Sequence, residues 1–83
     1  MPYIDPKKRP DMDRVVYAMS LNGVKADGDL NYILYKFCKN HITPSYNNFK
    51  NFCGELRQCA TEIERRLLAE HEIRKCKENG DVE

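Results

Sequence analysis

The stretch from Pro44 to Glu78 constrains this chain more than any other. Its spacing predicts one helix of about 35 residues, roughly 52 Å long at the α-helical rise. Thr43 supplies an N-cap, Pro44 suits the first turn, and Asn79-Gly80 is a usual stop. No other segment matches it in an 83-residue chain, so the rest of the fold must be arranged around it.

The predicted helix has two unlike faces. Phe49, Phe52, Cys53, Leu56, Cys59, Ala60, Ile63 and Leu67 form an apolar stripe about 100° wide. A second stripe, turned roughly 135° away, holds Asn51, Glu55, Gln58, Glu62, Arg65, Arg66, Ala69, Ile73 and Cys76. It is polar early and partly apolar late.

Ahead of the long helix the pattern gives two shorter ones. Residues 1–9 carry Lys7-Lys8-Arg9 and read as an extended arm. Met12, Val15, Val16 and Met19 recur at helical spacing over about 10–21, and Asn22-Gly23 ends that run. An aspartate at Asp27-Gly28-Asp29 caps a second helix over about 29–41, with Leu30, Ile33, Leu34, Phe37 and Cys38 on its core face. The expected fold is all-α: a single helical domain over 1–83, two short helices packed on one long C-terminal helix. The second helix spans only about 21 Å, so the last turns of the rod project beyond it. A small helical bundle completed by oligomerisation through residues 44–78 follows, and residues 79–83 form a tail.

Composition narrows the function classes. Charged residues make up 33% and hydrophobic residues 41%, which fits neither a disordered nor a membrane-embedded chain. No apolar run is long enough to span a bilayer. Met1-Pro2-Tyr3-Ile4 lacks the regions of a signal peptide, so we expect a cytoplasmic chain. A net charge of +1 argues against indiscriminate binding to a nucleic-acid duplex. Cys38, Cys53, Cys59 and Cys76 form no CxxC pair, so we expect free, mostly buried thiols and no metal site.

Catalytic constellations are weak. Glu55, Glu62 and Glu64 lack the i, i+3 or i+4 carboxylate pairing on facing helices that gathers a magnesium ion, and Glu62 can instead pair with Arg65 or Arg66. His41 and His71 have no nucleophile or orienting partner at a readable spacing. We therefore expect no enzyme and no cofactor. Arg65-Arg66 is more informative: adjacent guanidiniums point about 100° apart and can grip different anions or different chains. Tyr32, Tyr35 and Tyr46 offer rings for stacking, while Asn31, Asn47 and Asn48 offer donors and acceptors for base edges. Salt bridges between helices and tyrosines lining an oligomer interface are the bland alternative.

Met1-Pro2-Tyr3-Ile4, Gly28-Asp29-Leu30-Asn31-Tyr32, Ser45-Tyr46, Glu62-Ile63-Glu64-Arg65-Arg66-Leu67-Leu68-Ala69 and Lys77-Glu78-Asn79-Gly80-Asp81-Val82 resemble a family of short phage and bacterial proteins. Its pattern is MPYI, G-[DE]-L-N-Y, E-x-x-R-R-x-x-A and ENGDV, in that order. Glu83 departs from it where an aromatic is expected, and Glu70 where proline is common. Small helical phage proteins of this size include the anti-CBASS-like counter-defence sponges, which oligomerise and sequester cyclic nucleotides. By that analogy Arg65 and Arg66 would hold phosphates, Tyr32 and Tyr46 would stack on bases, and Asn31 would read a base edge. The expected function is sequestration of a cyclic di- or oligonucleotide immune signal without catalysis, in the cytoplasm of a phage host. A helical protein-interaction module, acting as adaptor or inhibitor of a host protein, is the alternative; a small hydrolase or ring-opening enzyme stands behind both.

Overall fold

A computed structural model describes residues 4–80. The chain is all-α: 83% of the described residues are helical and none is in a strand. A 3-10 turn at Pro6–Lys8 leads into α1 (Arg9–Leu21), followed by α2 (Gly28–His41) and α3 (Tyr46–Ile63). A π-turn at Glu64–Leu68 joins α3 to α4 (Ala69–Asn79), so residues 46–79 form one helical run of 34 residues. By contacts the chain divides into two compact units, with the boundary in the sequence falling inside α3 between Lys50 and Asn51.

In the first unit, polar side chains set the helix limits. Asp5 accepts from the Lys7 N–H at 3.0 Å and closes the 3-10 turn, with Pro6 already fixed at a helical φ. Residues 6–9 are therefore turned, not an extended arm. α1 ends in a Schellman motif: Val24 N–H donates to Met19 O, Gly23 N–H donates to Ser20 O, and Gly23 has φ +65°. Met19 and Val24, the apolar pair that accompanies such a cap, are both half-buried. Asp27 caps α2 by accepting from Asp29 N–H at 2.9 Å.

The long helix starts later than its sequence suggests. Ser45, not Thr43, is the cap: its Oγ accepts from Asn48 N–H at 3.0 Å, and its carbonyl accepts from Phe49 N–H. Pro44 precedes the helix. The Asn48 side-chain amide donates to the Thr43 carbonyl at 3.0 Å and so also serves the cap.

No described residue is buried. Leu30, Ile33, Leu34, Cys38, Ile42 and Phe52 are half-buried, whereas Met12, Val15 and Val16 of α1 and Phe49, Leu56, Ile63 and Leu67 of the apolar stripe are exposed. The expected core faces are thus amphipathic but open, since an apolar stripe is buried only where a second apolar surface covers it. Cys53, Cys59 and Cys76 are likewise exposed, because the faces that carry them are open to solvent.

The π-turn has no counterpart in the sequence reading. Ala69 N–H donates to Glu64 O, five residues back. One extra residue in a turn rotates everything after it by about 100°. Ala69, Ile73 and Cys76 are therefore offset from the row of Asn51, Glu55, Gln58 and Glu62. The second stripe is two surfaces, not one. Residues 1–3 of the expected arm and 81–83 of the expected tail lie outside the described residues.

Candidate functional site

The π-turn carries both arginines that the sequence singles out. Arg65 Nη1 lies 3.5 Å from Glu62 Oε1, and Arg66 Nε lies 3.2 Å from Glu62 Oε2. One carboxylate holds two guanidiniums, one through each oxygen. The Glu62 side chain is 12% exposed, while Arg65 and Arg66 remain 72% and 61% exposed. A guanidinium has five N–H donors in a planar fork, so most of each fork still faces solvent. The arrangement is a pair of anion donors oriented from below by a shared acid. It carries no nucleophile, and among the described residues no group of three metal-ligating side chains converges.

The remaining predicted site residues lie in the other unit. Asn31 and Tyr32 are neighbours in the first turns of α2, and Tyr46 opens α3. Both rings are exposed, and each has a lysine one turn later that the sequence reading passed over. Lys36 Nζ donates to the Tyr32 hydroxyl at 2.9 Å and sits 5.3 Å from the ring centroid. Lys50 Nζ sits 5.8 Å from the Tyr46 centroid. Accepting from the ammonium, the Tyr32 hydroxyl raises the Lys36 pKa above the ordinary lysine value. The signal for these pairs is the repeated i, i+4 spacing of tyrosine and lysine, which places both on one helix face. Chemically, each pair is a flat apolar face with a cation at its rim.

A third feature lies on α4. Ala69, Glu72, Ile73, Cys76 and Lys77 line an open groove of about 510 Å³ along one side of the helix. Its floor is apolar and its two edges carry opposite charges. No helix of the described residues is long and apolar enough to cross a membrane.

No curated protein and no solved structure matches the chain. A family model does match, over residues 1–82. The chain belongs to the family described as Domain of unknown function (DUF6899).

Proposed function

We propose that this protein is a phage-type, non-catalytic binding protein that assembles with itself and sequesters a cyclic di- or oligonucleotide signal in the cytoplasm of the host cell. The observation that carries the reading is the exposed guanidinium pair of Arg65 and Arg66, oriented by Glu62 on the π-turn. Phosphodiester oxygens are the ligand chemistry that planar, bidentate donors suit best. Tyr32 and Tyr46, each with a lysine at the ring, supply stacking faces beside a cation. The resemblance of the Glu62–Ala69 motif to short phage proteins points the same way.

A panel of cyclic nucleotides titrated by calorimetry, with the ligand recovered after heating the protein, tests this. The expected result is binding of at least one member and its recovery intact. Arg65→Ala and Arg66→Ala should each weaken binding by about tenfold or more, the scale of a charge-assisted hydrogen bond. Cleaved ligand would make the protein an enzyme, and no binding by any member would remove the reading. The second reading, a helical module that docks a host protein, draws on the exposed Leu56, Ile63 and Leu67 of the apolar stripe. Unaltered helicity with no nucleotide bound, and a host protein protecting that stripe from exchange, would favour it.

A further inference from the structure

The groove on α4 has the residue set of a coiled-coil seam. Ala69, Ile73 and Cys76 follow the four- and three-residue steps of core positions, and Glu72 and Lys77 flank them on either side. The charges along the helix sort themselves accordingly. Arg74 pairs with Glu70 at 3.2 Å, and Lys75 pairs with Glu78 at 3.4 Å. Among the described residues, Glu72 and Lys77, the two charges at the groove, have no ion-pair or hydrogen-bond partner. Five residues apart, they lie about 140° from each other around the helix, too far to pair with each other.

We infer that α4 docks in parallel against α4 of a second copy, with Ala69, Ile73 and Cys76 of each chain facing their counterparts. In a parallel pair the acidic edge of one helix runs beside the basic edge of the other. Glu72 then meets Lys77 of the second copy, and the two-fold axis repeats the contact on the other side. An antiparallel pair on the same seam would set Glu72 beside Glu72 and Lys77 beside Lys77, so the charges choose the orientation. The seam is short, but its helix continues α3 through the π-turn, so little ordering entropy is left to offset. The inference deepens the self-assembly half of the reading above and stands without its ligand half.

Native Cys76 reports the orientation. With axes 8–10 Å apart and Cα atoms on a 2.3 Å radius, facing Cys76 residues in a parallel pair would have Cα atoms roughly 3.5–5.5 Å apart, overlapping disulfide reach. Mild oxidation of the full chain should give a cross-linked dimer whose bridge maps by peptide analysis to Cys76–Cys76. Cys76→Ala should remove that bridge. Glu72→Lys alone and Lys77→Glu alone should each weaken the dimer roughly tenfold in sedimentation equilibrium, as two exposed ion pairs become repulsions. The double reversal Glu72→Lys/Lys77→Glu should restore it. Bridges mapped only to other cysteines, a dimer indifferent to the single reversals, or a monomer at high micromolar concentration would each overturn the inference. Nucleotide titration of the same variants keeps the two failures apart: loss of ligand binding with the dimer intact speaks against the ligand reading alone.

Discussion

Gly23 and Gly54 make a matched pair of perturbations, because the same substitution should act on them with opposite sign. At neither position does a built Cβ meet any atom within 4 Å, so alanine brings no clash at either. What differs is the backbone. Gly23 has φ +65° at the end of α1, a conformation that costs a β-carbon-bearing residue about 1–2 kcal/mol. Gly54 lies inside α3 with ordinary helical geometry, where alanine is favoured over glycine by about 0.5–1 kcal/mol. For a domain of this size each kcal/mol moves the midpoint by roughly 4–8 °C. Gly23→Ala should therefore lower the melting midpoint by about 4 °C or more, and Gly54→Ala should raise it by a few degrees. Circular dichroism melts at one fixed protein concentration would read both, since self-association makes the midpoint depend on concentration. A gain at Gly23 would refute the Schellman end of α1. A loss at Gly54 would mean that another surface lies against that side of α3.

Ser45→Ala should cost about 1 kcal/mol in urea unfolding, whereas Thr43→Ala should cost far less, because Thr43 contributes a carbonyl and not its hydroxyl to the cap. Lys36→Ala and Lys50→Ala should each weaken nucleotide binding several-fold in calorimetry with helicity unchanged, an effect that shrinks at high salt as exposed charges are screened.

Local chemistry made much of the fold legible in the sequence. Pro10 and Asp11 in the first turn of α1, Asn22-Gly23 after it, and Asp27 before α2 each carry a hydrogen-bonding or dihedral reason for a boundary, and α1 and α2 begin and end within a residue of those signals. The start of α3 misled because two capping residues flank Pro44, and only geometry shows that Ser45 Oγ reaches Asn48 N–H. The π-turn was illegible for a different reason. Neither proline nor glycine marks Glu64–Leu68, so nothing in residue type distinguishes it from continuous α-helix. The arginines could be named from sequence; their common attachment to Glu62 could be offered only as one pairing or the other. The lysines at Tyr32 and Tyr46 are marked in the sequence only by i, i+4 spacing, which many exposed helical pairs share, so geometry alone distinguishes a lysine that sits at a ring.

The π-turn ties these features together. A π-turn sacrifices the regular i→i+4 ladder and persists where something else compensates. Here it falls inside Glu62–Ala69, the segment whose pattern sets the chain apart from a generic amphipathic helix. Its rotation separates three surfaces that an uninterrupted α-helix would not: the apolar stripe ending at Leu67, the guanidinium pair on Glu62, and the groove from Ala69 to Lys77. An uninterrupted helix would align Glu62 and Arg66 with Ala69 and Ile73 in one row, forcing anion donors and apolar seam to share a face. Rotated by about 100°, the groove can meet a second copy while most of each guanidinium fork stays open to a ligand. Removing one residue from the π-turn, for example Leu68, should restore an α-helical ladder and leave Ala69, Ile73 and Cys76 where they stand around the axis relative to Glu62, because six α-helical residues turn through about the same angle as seven with one extra in the turn. The expected result is a chain of equal or higher helicity that keeps the Cys76–Cys76 bridge. Loss of the bridge with helicity retained would show that assembly depends on the π-turn itself and not on the placement it gives the groove.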